Sequence, residues 1–511
     1  MLDPLPSTIP HAAMVAAKRW GDAPALIERG ETWSFNRLWR ESIRAAGAFT
    51  ACGIGRGERV AIWAPNSREW IVAAVAAMLC GAAIVPLNTR LKGREAGDIL
   101  RRAHVKLLVT VSSFLGQDYP ALLKGEDLPD LKGILLLDDG WDALLADAPQ
   151  LESKKVEAML AALSADDVSD IIFTSGTTGR PKGVLMTYGR VIPQCGVWIR
   201  NTRLGEGERY LIANPFFHSY GLKVGWVAAL LAGAVTVPMA QFDVRQAARL
   251  IEEQRINFLP GPPTIFQMLL DELEERPFDT TSLRGGTTGA ATVPPVLVER
   301  IRTELGIKDI ITAYGMTECV TITSCLPGDP ADRIAHSCGA PISGNDVRIV
   351  GEDGQEVACG ETGEIIVRGQ GVMLGYLDEP EATAAAIDPE GWLHTGDVGT
   401  MDERGYVRIT DRKKDLYISG GFNCYPAEIE KLLSLHPAIS MVAVIGVPDE
   451  RMGEVGKAFV VRRPGASLEA PELLAWAREN MANYKVPRQF QFLEELPRNA
   501  SGKVTKLALQ T

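Results

Sequence analysis

No two cysteines in this 511-residue chain are spaced as C-x-x-C, and the nearest of the eight, Cys319 and Cys325, lie six positions apart. That spacing supports neither a zinc knuckle nor a disulfide-stapled secreted scaffold, so the chain is read as belonging to a reducing compartment, the cytoplasm. A basic excess is also missing. Against 53 Lys and Arg stand 64 Asp and Glu, a net charge of −11, which disfavours a dedicated nucleic-acid or anionic-membrane binder. The N-terminus, Met-Leu-Asp-Pro-Leu-Pro-Ser-Thr, lacks the basic region and long apolar run of a secretory signal, and no segment is of low complexity. Collagen, miniprotein and disordered classes are thereby excluded. The 46% hydrophobic content supports a sizeable core, and a prior of ~150 residues per domain suggests about three units.

Charge is absent from two stretches, 70–87 and 224–242, whose lengths approach the ~20 apolar residues of a membrane span. Both are rich in Ala and Gly and broken by Pro. Each reads as a buried helix, then Gly-Ala, then a short strand ending in Val-Pro: Gly81-Ala82-Ala83-Ile84-Val85-Pro86 and Gly233-Ala234-Val235-Thr236-Val237-Pro238. Two matched helix-strand units fit a protein interior better than lipid, so no transmembrane segment is expected. The echo suggests two similar α/β lobes with parallel strands. The first opens with Ala25-Leu26-Ile27 and a helix capped by Ser34, and its next strand is Arg59-Val60-Ala61-Ile62-Trp63. The second runs over about 170–289. Residues 351–421 read as a β-rich lobe with one helix near 381–386. Past Lys414 a compact α+β unit of roughly a hundred residues can fold alone. The fold class is therefore α/β, with a large N-terminal domain over 1–411, a hinge at 412–415 and a small mobile C-terminal domain over 416–511.

Thr174-Ser175-Gly176-Thr177-Thr178-Gly179-Arg180-Pro181-Lys182-Gly183 follows the apolar strand Asp170-Ile171-Ile172-Phe173. Hydroxyls and flexible glycines let donors converge on phosphate oxygens, and Lys182 adds charge. The spacing is not that of a Walker loop, because Lys182 is not followed by Ser or Thr. Together with Tyr314-Gly315-Met316-Thr317-Glu318, Thr395-Gly396-Asp397, Asp411-Arg412-Lys413-Lys414-Asp415 and Pro497-Arg498-Asn499-Ala500-Ser501-Gly502-Lys503, this segment resembles the adenylate-forming superfamily of acyl-CoA synthetases, luciferases and peptide synthetase adenylation domains. The motifs occur in the family's order over nearly the whole chain.

The resemblance implies ATP, Mg2+ and coenzyme A as reactants and a carboxylic acid as substrate. It makes Thr174, Ser175, Gly176, Thr177, Thr178 and Lys182 the loop for the ATP phosphates, Thr317 a phosphate contact and Glu318 the magnesium ligand. Gly289, Ala290 and Ala291 with Tyr314 and Gly315 match the adenine slot. Asp397, with Arg412 beside it, matches the ribose carboxylate. Lys503 becomes the catalytic lysine, Lys414 the hinge about which a C-terminal lid rotates, and Gly420 and Gly421 the turn lining a pantetheine tunnel. His218, in Asn214-Pro215-Phe216-Phe217-His218-Ser219-Tyr220-Gly221, matches the gate between acyl pocket and adenylate, and Met316 and Trp226 are assigned to the pocket with it.

No Asp or Glu lies between Phe216 and Gly225, which argues against an amino acid substrate, whose ammonium needs a partner. Lys223 is the only charge between Arg209 and Asp243. An ammonium in an apolar segment usually snorkels to solvent; the alternative reading is that it reaches the acyl pocket and meets a distal keto or carboxylate oxygen. The stretches around His218, Gly261-Pro262-Pro263 and Thr288-Gly289-Ala290-Ala291 look most similar to bacterial ligases activating the indane-propionate left after steroid rings A and B are degraded. Fatty or aryl acid ligases, and ligases that load a carrier protein, share parts of them. A non-catalytic nucleotide-binding protein is the rival of another class, opposed by the intact Lys182, Glu318, Asp397 and Lys503. A homodimer is allowed for, with no residue that specifies one.

Overall fold

The computed structural model describes the chain except residues 175–180, 290–292, 413–414, 420–421, 450–451, 482, 484, 499–503 and 510–511; of 411, 412, 418, 422, 423 and 507 it describes the backbone alone. Two compact units emerge, one comprising 1–346 and 367–393, the other 347–366 and 394–511. The class is α/β, with a large N-terminal domain and a small C-terminal one.

Among the described residues the first unit holds two large sheets. A seven-stranded sheet runs Gly375–Tyr376, Lys182–Thr187, Val168–Thr174, Ala83–Pro86, Arg59–Trp63, Leu107–Thr110, Gly133–Leu136. It is parallel from Val168–Thr174 onward and antiparallel over its first three strands. The nine-stranded sheet runs Ala340–Pro341, Cys319–Ser324, Asp309–Met316, Gly285–Thr288, Phe258–Pro260, Arg209–Ile212, Val235–Pro238, Pro24–Glu28, Glu31–Ser34.

The lobes are therefore not consecutive stretches of chain. Pro24–Glu28, expected in the first lobe, pairs with Val235–Pro238 of the second sheet. Val168–Thr174, expected in the second lobe, pairs with Ala83–Pro86 of the first. Hydrophobic periodicity identifies a strand but carries no information about which sheet edge it joins.

The uncharged stretches are interior elements. Helix Arg68–Leu79 buries every residue from Glu69 to Leu79. It starts at Ser67, whose Oγ accepts from the Trp70 N–H at 3.1 Å, and packs Trp70 edge-on against Phe216 and Trp226. The helix is apolar all round because protein surrounds it, and no described helix is long and apolar enough to cross a membrane. The Gly-Ala punctuation has a local cause: Gly81 and Gly233 both adopt positive φ, +79° and +76°, a conformation that ends a helix cheaply only without a Cβ. Stretch 224–242 begins as a π-helix, Tyr220–Val227, before the α-helix Ala228–Ala232.

In the second unit, the sheet Asn345–Val350, Gly363–Gly369, Leu393–Met401, Val407–Arg412 supplies the expected β-rich part. A five-stranded sheet with helices Pro426–Leu433 and Ala470–Asn480 follows, closed around Tyr417, Ile429, Leu433, Val444, Val460 and Leu473. The contact division places 394–411 with this smaller unit, whereas the sequence boundary puts them in the large domain.

Ser34 caps helix Phe35–Ala51, its Oγ accepting from Arg37 N–H at 3.1 Å. Ser34→Ala should lower stability by about 1 kcal/mol. Urea unfolding followed by tryptophan fluorescence checks this, and an unshifted midpoint would show that packing alone sets this helix start.

Candidate active site

Strand Arg209–Ile212 passes the chain to Val235–Pro238 on one side, while Phe258–Pro260 passes it to Gly285–Thr288 on the other. In an open parallel sheet that reversal leaves a crevice at the C-terminal strand ends. The expected residues arrive there from three strands: the loop with His218 follows Arg209–Ile212, Gly289 follows Gly285–Thr288, and Tyr314, Gly315 and Met316 end Asp309–Met316.

Thr317 and Glu318 form the tip of the hairpin joining Asp309–Met316 to Cys319–Ser324, where Met316 pairs with Cys319. Hairpin tips are normally wet. Here Thr317 is 9% and Glu318 8% exposed, so Glu318 is not a solvated surface acid. Its Oε1 accepts from the Tyr376 hydroxyl at 3.0 Å, and its backbone carbonyl accepts from Met373 N–H at 2.7 Å. Burial and the neighbouring Glu318 charge raise the Tyr376 pKa, which keeps the phenol a donor.

Tyr376 also links the hairpin to the expected phosphate loop. Its strand pairs with Lys182–Thr187 through Val184 and Tyr376, and the Lys182 ammonium lies 4.9 Å from the Tyr376 ring centroid. Thr174 and Lys182 face each other as the last pair of the antiparallel ladder, so the segment between them leaves and re-enters the sheet at one point. Ser175, Gly176, Thr177 and Thr178 lie outside the described residues. Arg102 fixes the base of this loop: one guanidinium nitrogen donates to Pro181 O at 2.6 Å, another to Glu379 at 2.8 Å, and the group lies over Phe173.

The gate loop has its own clamp. Asn66, 3% exposed, donates through Nδ2 to Asn214 O at 3.0 Å and accepts at Oδ1 from Phe216 N–H at 2.7 Å. His218 is exposed, and its Nδ1 accepts from Tyr220 N–H at 3.2 Å, which leaves Nε2 to carry the proton of the neutral ring. The Tyr220 hydroxyl pairs with Thr287 Oγ1, and burial lifts its pKa to about 12. The backbone thus holds His218 while its imidazole stays accessible.

Two pocket assignments change. Trp226, 1% exposed, packs edge-on against Trp70 in the core. Lys223 does not snorkel: it is fully buried, with Nζ 2.9 Å from Asp170 Oδ1. A carboxylate from strand Val168–Thr174 makes that burial tolerable, and sequence alone does not show that the two groups meet. Met316 remains half-buried at the strand end.

In the second unit Asp397 is 6% exposed and pairs across the ladder with Arg412, its N–H bonded to Thr395 Oγ1 at 3.1 Å. The Arg412 side chain, Ala290, Ala291, Lys414, Gly420, Gly421 and Lys503 lie outside the described residues. On either side of Lys503, Arg498 bridges Val504 and Thr505 N–H bonds Pro497 O at 2.8 Å.

The chain matches the AMP-binding enzyme family over residues 14–377 and the AMP-binding enzyme C-terminal domain over 428–503. It is 47% identical over 98% of its own length and 98% of the relative's to a Mycobacterium tuberculosis ligase. That relative is named as joining CoA to a 7a-methyl-1,5-dioxo-octahydro-1H-inden-4-yl propanoyl group. A Rhodococcus jostii ligase of the same name is 45% identical over 99% and 98%. Among solved structures, the o-succinylbenzoate CoA synthetase of Bacillus subtilis, in complex with ATP and magnesium, superposes with a TM-score of 0.85 at 31% identity over 98% of this chain and 99% of that one.

Tyr376, Arg102 and Asn66 carry no motif signal of their own. Each acts from a distant part of the chain on a segment that does carry one. Tyr376→Phe keeps the ring beside Lys182 and removes the donor to Glu318. A hydrogen bond to a charged group is worth ~1.5–3 kcal/mol, so a loss of about tenfold or more in kcat/KM for ATP is expected. Steady-state kinetics with ATP and Mg2+ varied together read it; an unchanged value would show that Glu318 is oriented without Tyr376.

Proposed function

Because the chain belongs to the AMP-binding enzyme family and is an acyl-CoA ligase, an acid-thiol ligase, we propose that ATP, Mg2+ and CoA are its co-reactants and that its acid is a propanoate borne on a dioxo bicyclic ring of steroid origin. The continuous contact from Lys182 through Tyr376 to Glu318 carries the ATP part of this reading. The two indane-propanoyl ligases, matched along nearly their whole length, support the acid.

A carboxylate attacking the α-phosphate must approach another anion. Lys182, Thr317 and the donors of residues 174–178 hold the phosphates, and Glu318 offers the hard oxygen donor that suits a magnesium ion. That ion would supply charge neutralisation to the phosphate oxygens. Gly289, Ala290, Ala291 and Tyr314 take the adenine, Asp397 and Arg412 the ribose. His218 gates the acyl end. The acid displaces pyrophosphate to give acyl-AMP, and the CoA thiol then displaces AMP. Lys503 serves the first step and leaves for the second, residues 412–415 being the hinge and 416–511 the moving part; Gly420 and Gly421 line the approach of pantetheine. Supplies of ATP and CoA fit a cytoplasmic enzyme. An amino acid is disfavoured from a second direction, because Asp170, the buried carboxylate near the gate segment, is already matched by Lys223.

A carboxylate panel scored by AMP release with CoA present should rank the dioxo-octahydroindenyl propanoate above fatty and aryl acids of similar size. A preference for a plain fatty acid would replace this substrate. Lys503→Ala should reduce acyl-adenylate formation ~100-fold, the worth of one oriented charge on a developing anion, while preformed acyl-adenylate still reacts with CoA. Equal loss in both half-reactions would remove Lys503 from its assigned step.

A further inference from the structure

Among the described residues, Lys223 is the one lysine or arginine that is buried, and its partner Asp170 is buried as deeply, at 0% and 1% side-chain exposure. Nζ and Oδ1 lie 2.9 Å apart without an aligned hydrogen bond from either atom, so charge holds the pair. Asp170 Oδ2 accepts from Ser169 Oγ at 2.7 Å, and Ser169 Oγ also lies 3.1 Å from Met186 O. The carboxylate is thereby fixed to both strands that carry the phosphate segment. Pairing of Ile84 with Asp170 fixes it from the other side.

The lysine end reaches the acyl side. Lys223 lies five residues after His218, inside the π-helix Tyr220–Val227, whose wide turn is a frequent mark of a functional segment. Its carbonyl accepts from Cys195 Sγ at 3.1 Å, and the Tyr210 hydroxyl donates to Val224 O at 3.1 Å. Cys195, whose thiol burial pushes up to about 12, feels the positive charge of Lys223, which opposes that rise. One residue thus belongs to the gate segment by its backbone and meets the strand that becomes the phosphate loop by its ammonium.

A buried ion pair is a poor source of stability, since well-packed apolar residues of similar volume often replace it without loss. What it supplies is a fixed separation between the elements that carry its ends. We propose that Lys223 and Asp170 are positioning residues that hold the gate segment at a set distance from the phosphate strand, so that the acyl carboxylate meets the α-phosphate in line. The pair acts on adenylation and touches no substrate. This rests on the assignment of gate, phosphate loop and Glu318 made above.

The test is the double variant Asp170→Leu/Lys223→Met, with the charge-swapped Asp170→Lys/Lys223→Asp beside it in case the apolar pair does not fold. Thermal unfolding, ATP-pyrophosphate exchange, and conversion of preformed acyl-adenylate by CoA are measured on each. A misplacement of about 1 Å costs ~100-fold in rate. The expected result is an unfolding midpoint near wild type, exchange lowered about that much in kcat for every acid tried, and CoA conversion little changed; the swapped pair should recover part of the exchange. Wild-type exchange in the folded apolar variant would overturn the proposal, leaving the pair as packing alone, and so would a folded swapped variant that recovers no exchange. A loss confined to KM for ring-oxygenated acids, with a plain fatty acid spared, would also overturn it and make Lys223 a substrate contact. Glu318→Gln is run in parallel: if that variant keeps exchange, the site assignment has failed, whereas a pair variant that keeps exchange while Glu318→Gln loses it refutes this inference alone.

Discussion

The antiparallel ladder between Val168–Thr174 and Lys182–Thr187 is the constraint from which the site follows. It sets Thr174 and Lys182, the two ends of a donor-rich segment, opposite each other. It also offers its outer strand to Gly375–Tyr376, and so brings Tyr376 from far along the chain between Lys182 and Glu318. Of the lysine, phenol and carboxylate held this way, Glu318 is buried, and a charge in such surroundings interacts more strongly than on a surface. Arg102 closes the base of the same segment by binding the Pro181 carbonyl. Removing the ladder would separate groups that no local sequence preference holds together.

The second sheet contributes the reacting partners through its reversal of strand order. Its C-terminal strand ends bring together the His218 loop, Gly289 and the Thr317-Glu318 tip, each carried by a strand of the same sheet. Rigid mounting matters for a reaction between two anions, because the repulsion must be overcome by charges already in place. The internal ion pair between Lys223 and Asp170 joins the π-helix Tyr220–Val227 of this lobe to strand Val168–Thr174 of the first sheet. It is costly to desolvate, by several kcal/mol per ion even after relaxation, which makes its retention more informative about geometry than about stability.

Much of this was legible in the residues. Ser34 marks a helix start by its side-chain oxygen, and it acts as the cap. The matched Gly-Ala punctuations reflect two glycines at positive φ. The phosphate segment and the Tyr314 to Glu318 motif stand out by composition and order. The partners from other parts of the chain were not legible. Asn66, Arg102 and Tyr376 are ordinary residues in ordinary contexts, and their contacts span 79 to 277 positions at Arg102 alone. Sheet membership failed for the same reason, since a strand's period does not encode its neighbour. Lys223 misled because its partner lies upstream, in a strand that reads as simply apolar apart from one carboxylate.

The central claim is that the protein first activates its acid on AMP and only then engages the thiol. The direct measurement is a single-turnover assay with ATP, Mg2+ and the dioxo-octahydroindenyl propanoate, CoA being withheld until later. The account predicts a burst of pyrophosphate equal to the enzyme present, with AMP retained as acyl-adenylate and released together with acyl-CoA once CoA is added. Pyrophosphate that appears only after CoA is present would contradict it.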